Sequence, residues 1–275
     1  MQLQLENTTF CQASCLFCPH AGLKRPKLTM ELELHRKIVD EAATIALIDQ
    51  FTITGLGEPL LDRNLIEKIS YTSKTMDPSV GLDIYTNGNL LTVDIGKRLA
   101  DAGLKTLMIS MNAMRADKRR EIMGLDDFKR VSDVAHELTE IFDGSGSMGV
   151  VVKAIVTKDL LEGDEQIQFM KDWGGAVGDG GHAFLHLEGN WAGKNYKVRT
   201  TQTTPCSRAM SSIMVLADGR VCLCCQDAEG EVIFGDLHTE TLREIYEKEE
   251  YVRLRQMHME GKRNELFLCK DCAMI

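Results

Sequence analysis

Cys11-Gln-Ala-Ser-Cys15-Leu-Phe-Cys18 is the stretch on which the fold of this chain is decided. Its three cysteines, spaced CxxxCxxC, directly follow a run at residues 3–6 that reads as a first strand. In a parallel α/β sheet or barrel, the loop after a strand opens onto the functional face. Three thiolates on one tight loop can hold three irons of a [4Fe–4S] cube. The fourth iron is then left to bind a small molecule and pass it an electron. Zinc is the competing occupant. It asks for four ligands, and His20 stands close enough in sequence to be the fourth.

Outward from that loop, the chain has 275 residues, of which 44 % are hydrophobic, so one large α/β domain with a small appendage is within reach. A net charge of −9 argues against nucleic acid or anionic lipid as a partner. No apolar run reaches the roughly 18 residues of a membrane span. The N-terminal residues lack a basic region and an apolar signal core, so a cytoplasmic protein is expected. In that compartment the odd total of nine cysteines speaks against a disulfide framework. Three lie in the first loop and six follow Pro205, with none between Cys18 and Cys206. Metal ligation produces clustering of that kind.

Strands are expected at residues 3–6, 51–54, 82–86, 106–111, 149–156 and 183–187, alternating with amphipathic helices. A first helix is expected to be capped by Thr29, with Leu34, Ile38, Ala42 and Ile45 on one face. A second cap is expected at Thr92, with Gly103 ending its helix. Six βα units are too few for a closed eight-fold barrel, so the fold class is α/β, a partial (β/α)6 TIM barrel that remains open. After Asn195 the pattern changes. Residues 213–216 and 221–225 flank Asp218-Gly219 and read as a hairpin. A charged helix is expected over 241–259. The boundary is placed near residue 200, giving a barrel over 1–200 and a small tail domain over 201–275.

Several motifs stand in order at the expected strand ends. Phe17 fills the aromatic place of CxxxCxΦC, Gly55-Leu56-Gly57-Glu58-Pro59 ends the second strand, and Thr86-Asn87-Gly88 follows the third. Ser110 and Asn112 end the fourth. On these the chain resembles the radical S-adenosylmethionine (SAM) superfamily over residues 1 to about 190. Leu56 departs from the family's usual double glycine. The resemblance implies a [4Fe–4S] cluster on Cys11, Cys15 and Cys18, and SAM contacts from Phe17, Gly55, Gly57, Glu58, Asn87, Ser110 and Asn112. Glycine lets backbone approach the cofactor's amino group, and the Glu58 carboxylate can add a charged contact.

The tail carries Cys206, then Asp218-Gly219-Arg220-Val221-Cys222-Leu223-Cys224-Cys225, then Cys269-Lys-Asp-Cys272. It resembles the family's auxiliary-cluster appendage, the twitch form of the SPASM domain, in the layout of its aminocyclitol dehydrogenases. In that resemblance the DGxVxxC pattern points to Cys224, and the layout implies Cys206, Cys224, Cys269 and Cys272 as ligands of a second [4Fe–4S] cluster. Cys222 and Cys225 then read as small hydrophobic residues, as a ligand in place of Cys224, or as a thiol hydrogen donor. A zinc ribbon is the competing reading of the tail.

The resemblance implies reductive cleavage of SAM, with a 5′-deoxyadenosyl radical taking hydrogen from a substrate. An external one-electron reductant, such as flavodoxin or ferredoxin, would feed the first cluster. The main expectation is a dehydrogenase acting on a small polar substrate, sugar- or aminocyclitol-like. Epimerisation and peptide maturation are the alternatives within the family, and a zinc- or cluster-carrying scaffold is the non-enzymatic one. The first expected strand begins at Leu3, so no leader-peptide-binding domain is expected before it, which favours a small molecule over a peptide. His186 and Glu188, alternating on the sixth strand, are candidates for base or substrate ligand, or else hydrogen-bonded lining. Lys153 either points outward to solvent or into the barrel to meet a carboxylate. Arg208 either lies at the surface or binds a polar substrate.

Overall fold

The computed structural model describes residues 1–156, 163–174, 183–187, 189–195 and 203–274. Six parallel strands form the frame: β1 (Gln2–Leu5), β2 (Gln50–Ile53), β3 (Gly81–Thr86), β4 (Thr106–Ser110), β5 (Gly149–Val156) and β6 (Ala183–Leu187). They match the six expected strands within one residue at each end. Between them run α1 (Leu32–Ala43), α2 (Leu65–Thr75), α3 (Val93–Asp101), α4 (Ala116–Met123), α5 (Phe128–Phe142) and α6 (Gly163–Trp173).

The strands sort their side chains by face. Leu3, Leu5, Phe51, Ile53, Leu82, Ile84, Leu107, Ile109, Val150 and Val152 are buried in one core with Leu34, Ile38, Ile69, Leu99, Val131 and Leu138 of the helices. Each such side chain contributes about 1.5–3 kcal/mol by leaving water. The opposite face carries Gln2, Gln4, Thr52, Tyr85 and Lys153 around a cavity. The apolar face of the sheet is thus covered by helices, and its polar face is kept for function.

Two helix expectations change. Thr92 caps α3, accepting from the Ile95 amide at 3.2 Å. Thr29 does not cap α1; it bridges to Thr8, and its hydroxyl lies 2.9 Å from that of Thr8. The helix starts at Leu32 instead. The single charged helix expected over 241–259 is two, α8 (Leu242–Glu247) and α9 (Glu249–Met259), preceded by the five-residue α7 (Ser207–Ser211). Lys248 separates α8 from α9 with an extended backbone (φ −56°, ψ 140°) and donates to the Phe234 carbonyl at 2.8 Å.

The tail strands are β7 (Ser212–Val215), β8 (Arg220–Cys222) and β9 (Ile233–Asp236). The Asp218-Gly219 hairpin is present, with Gly219 at φ +87°, but its second strand ends at Cys222, leaving Cys224 and Cys225 in the following loop. β7 pairs parallel to β1, so one sheet runs β6-β5-β4-β3-β2-β1-β7-β8-β9. The tail therefore covers what would be the open edge at β1. Among the described residues, no helix is long and apolar enough to cross a membrane.

Candidate active site

The cysteine loop lies over the C-terminal ends of the strands. Its Ser14 and Leu16 amides donate to the Met123 and Ile122 carbonyls at 3.0 and 2.9 Å, using the free carbonyls at the end of α4. Cys11, Cys15 and Cys18 are half-buried. Burial, then the neighbouring thiols, push Cys15 up to about 12, and burial pushes Cys18 up to about 11. Bound iron reverses that penalty, since a coordinating thiol is deprotonated. His20, the fourth ligand of the zinc reading, turns its Nε2 toward the Thr9 carbonyl at 2.9 Å, with Lys27 Nζ 2.7 Å away. Among the described residues, no three His, Cys, Asp or Glu side chains converge on one point fit for a single ion. A cube asks for a different arrangement, one soft thiolate per iron corner, and three thiols on one loop fit it.

The loops after β2 and β3 are fastened to this one. An added Cβ on Gly57 would lie 1.9 Å from the Thr8 carbonyl oxygen, so only glycine passes there. Gly55 sits at φ +136° and lines the cavity. Glu58 is 2 % exposed. Its carboxylate accepts from Thr86 Oγ1 and the Asn87 amide, each at 2.7 Å, and from the Leu60 amide at 3.1 Å. It locks the two loops together. Asn87 Nδ2 points at Cys11 Sγ across 3.8 Å. Asn112, at φ +55°, accepts from the Ile155 amide at 3.0 Å and extends its Nδ2 to Met123 Sδ at 3.6 Å, so its amide serves the ends of β4 and β5. Ser110 stands opposite Lys153 in register.

Arg119, fully buried, was not singled out by its sequence context. It donates to the Asn87 carbonyl at 2.6 Å, the Met111 carbonyl at 2.9 Å and Asp127 at 2.5 Å, joining two strand ends beneath the cluster loop. Glu6 and Arg25 were likewise missed. They form a buried bidentate pair at 2.7 and 2.9 Å. Glu6 also accepts from the amides of Leu56 and Ala217, and Arg25 donates to the Ala228 carbonyl at 2.7 Å. A carboxylate closing the expected first strand, just ahead of the cysteine loop, was the available signal for Glu6.

Between the polar sheet face and the tail lies a cavity of about 340 Å³, lined in part by Phe17, Gly55, Tyr85, Lys153, Arg208 and Cys225. Lys153 points inward, with Nζ 4.9 Å from the Tyr85 ring centroid. Burial, and next the Arg208 charge, bring its pKa down to about 8. Arg208 lies on the cavity wall too, 4.0 Å from Cys225 Sγ. Gln4 Oε1, on the same wall, is buried without a hydrogen-bond partner. β6 brings His186 opposite Ile155, but the His186 side chain and Glu188 lie outside the described residues.

The tail cysteines come from three places. Cys206 caps α7, Cys224 follows the hairpin, and Cys269 and Cys272 bracket a 3-10 turn. Cys224 packs into the core that holds Cys206 and Cys269. Cys225 faces the cavity, although it too lies within electrostatic reach of Cys206. Cys222 is fully buried, clustered with Met214 and Leu216, and Cys225 packs against that cluster. Arg263 is 1 % exposed, and its Nε and Nη1 have no hydrogen-bond partner. Its charge is felt at Cys269. A buried cation with unused donors near a cysteine of this group fits an anionic iron–sulfur cluster.

Residues 189–195 link the two cysteine regions. Asn190 donates to the Asp271 carbonyl at 2.7 Å and accepts from the Ala273 amide at 2.8 Å. Trp191 Nε1 and Asn195 Nδ2 both donate to the Phe17 carbonyl, at 2.8 and 2.6 Å. Trp191 adopts φ +51°, an uncommon conformation for a bulky residue that the surrounding contacts hold in place.

Comparison with known proteins agrees with this construction. Residues 5–162 match the radical SAM superfamily, and residues 206–273 match the SPASM iron–sulfur cluster-binding domain. The chain belongs to the radical SAM superfamily, in its SPASM/twitch subgroup. It is an enzyme of that class, using SAM with a [4Fe–4S] cluster in the barrel and an auxiliary cluster in the tail. The S-adenosyl-L-methionine-dependent 2-deoxy-scyllo-inosamine dehydrogenase of Niallia circulans is 21 % identical over 271 residues, 98 % of this chain and 91 % of that one. A GTP 3′,8-cyclase of Alkaliphilus oremlandii is 33 % identical over 138 residues, 49 % of this chain and 42 % of the cyclase. The crystal structure of BtrN with AdoMet and 2-DOIA superposes with a TM-score of 0.71 at 18 % identity, covering 100 % of this chain and 93 % of BtrN. That of anSMEcpe with AdoMet gives 0.69 at 16 %, covering 98 % and 88 %.

Proposed function

We propose that this chain is a radical SAM dehydrogenase that oxidises a hydroxyl-bearing carbon of a small polar, sugar- or aminocyclitol-like substrate. The cavity between the barrel's polar face and the tail is its site. In this reading Cys11, Cys15 and Cys18 hold the first cluster, and Cys206, Cys224, Cys269 and Cys272 hold the auxiliary one. Phe17, Gly55, Gly57, Asn87, Ser110 and Asn112 shape the SAM site, with Glu58 fixing its loops. Residues 1–200 and 201–275 are the two functional halves. The bound clusters and SAM supply hydrogen-atom abstraction and accept the one electron that oxidation to a carbonyl leaves over. An external one-electron carrier of the flavodoxin or ferredoxin kind primes the first cluster.

The chain's own part is to bind, orient and deprotonate. Lys153, brought down to about 8, carries this reading. A neutral amine there can take the hydroxyl proton near neutral pH, and Arg208 beside it disfavours its protonation. The unpartnered Gln4 Oε1 offers an acceptor to a second substrate hydroxyl. The full-length similarity to an aminocyclitol dehydrogenase supports the same substrate class. The test is incubation of reconstituted enzyme with SAM, reductant and a panel of inositols and aminocyclitols. A ketone formed in step with 5′-deoxyadenosine is expected. Lys153→Met should abolish the ketone while leaving slow, uncoupled SAM cleavage; ketone formation at the unaltered rate in that variant would remove Lys153 from the mechanism.

Epimerisation is the second reading, and it rests on Cys225. Of the two spare cysteines it is the one on the cavity wall, where a thiol can return a hydrogen atom. An inverted alcohol in place of a ketone, lost in Cys225→Ala, would select it.

A further inference from the structure

We propose that His258 and Arg263 set the reduction potential of the auxiliary cluster, raising it so that the cluster serves as the substrate's electron acceptor. The inference rests on the ligand set proposed above, and it assigns roles to two residues outside that set.

His258 is fully buried, on α9. The Cys206 backbone amide donates to its Nδ1 at 3.3 Å. A backbone N–H can only donate, so Nδ1 carries no proton and the ring is neutral. The ring proton must then sit on Nε2. Nε2 lies 3.6 Å from Cys269 Sγ, within reach of an N–H···S hydrogen bond. One imidazole therefore spans two of the four proposed ligands, fixed at one end by backbone and donating at the other. Hydrogen bonds to cluster sulfurs withdraw electron density and favour the reduced, more negative state.

Arg263 acts in the same direction. Its Nη2 donates to the Met274 carbonyl, while Nε and Nη1 are buried and unused. Its turn, Arg263–Glu265, packs against the Cys269–Asp271 turn. A buried cation favours whichever state of a neighbouring group is more negative, here the cluster with one added electron. The first cluster's surroundings differ. Its cysteines are half-exposed, Asn87 Nδ2 lies 3.8 Å from Cys11 Sγ, and backbone amides of the same loop, Ala13 and His20, serve Cys11 and Cys18.

The experiment is a redox titration of anaerobically reconstituted holoenzyme, followed by electron paramagnetic resonance. The signal that SAM does not perturb is assigned to the auxiliary cluster. In His258→Leu its reduction equilibrium should fall about tenfold, equal to about 59 mV for one electron. Arg263→Met should fall likewise, Arg263→Lys should retain most of the unaltered value, and the SAM-sensitive signal should stay in place. Because His258→Leu can fail to assemble, the unaltered protein is also measured with ¹⁵N-labelled histidine. The reduced auxiliary cluster should show a ¹⁵N coupling and an exchangeable proton. An unchanged midpoint in His258→Leu with all irons present, or no ¹⁵N coupling in the unaltered protein, overturns the proposal. If the unaltered protein holds only about four irons and shows no SAM-insensitive signal, the auxiliary ligand set itself fails, and this inference falls with it.

Discussion

The two cysteine regions solve one problem in opposite ways. The first draws its three thiols from eight consecutive residues, Cys11 to Cys18, on a loop pinned by hydrogen bonds to neighbouring strand and helix ends. The second gathers Cys206, Cys224, Cys269 and Cys272 from the start of a short helix, the end of a hairpin and a distant 3-10 turn. The first is a local motif placed by a frame, whereas the second exists only once the tail has folded. Local ligands can be recognised by spacing, while dispersed ligands need tertiary contacts to meet. The buried polar residues reflect this. Arg119 and Glu58 tie loops beneath the first site, while His258, Arg263 and Asn190 tie whole segments around the second.

The contrast can be broken most severely at the thiols. Cys15→Ala should abolish 5′-deoxyadenosine formation, yet keep about four irons per chain in the tail. Cys272→Ala should do the reverse, retaining SAM cleavage while losing ketone product and about half the iron. Loss of nearly all the iron in either variant, measured by iron analysis and product assay, would contradict two independently assembled sites.

A smaller effect is expected where the halves are joined. Arg25→Met leaves Glu6 as an unpaired buried carboxylate, which costs about 3–5 kcal/mol. Because Glu6 also binds Leu56 and Ala217, a single lowered melting transition is expected, not loss of the tail alone. Calorimetry of the two proteins checks it.

Next comes pH. Lys153 must be neutral to act as base, and its value lies at about 8. The free-base fraction is then about one tenth at pH 7 and half at pH 8, so kcat/KM for dehydrogenation should rise about fivefold over that interval. For stability the sign follows from a folded value below the unfolded one of about 10.4. The charged form is penalised in the native state, so this contribution is lowest below about pH 8 and recovers as pH rises toward 10.4. A flat profile for the coupled reaction, beside uncoupled SAM cleavage as control, would argue against Lys153 as the base.

The smallest effect tests the tail helix alone. Thr241 and Glu244 form a capping box, with Thr241 Oγ1 accepting from the Glu244 amide at 3.1 Å. Thr241→Ala should cost about 1 kcal/mol, read by denaturant unfolding, and leave both cluster signals unchanged.

Much of the barrel was legible because parallel strands alternate with helices at short range, and each strand announces itself by apolar periodicity. The six strands and the Thr92 cap could be read in this way. The Thr29 cap could not, because a threonine that pairs with Thr8 looks in sequence like one that caps a helix. The break at Lys248 was hidden for a similar reason: a lysine suits a charged helix, and only its bond to the Phe234 carbonyl shows why the chain leaves the helix there.

By itself, then, the sequence determined the class of chemistry. The spacing of Cys11, Cys15 and Cys18, with Gly57-Glu58-Pro59 at a strand end, is local information that survives without coordinates. Only the tertiary structure decided that β7 extends the sheet at β1, that Lys153 and Arg208 face one cavity, and that Cys225 lines it while Cys222 is fully buried. It also decided that His258 stands between Cys206 and Cys269. Those facts depend on which faces pack together across long stretches of chain, and burial of apolar surface, which drives that packing, is non-directional and leaves no spacing to read.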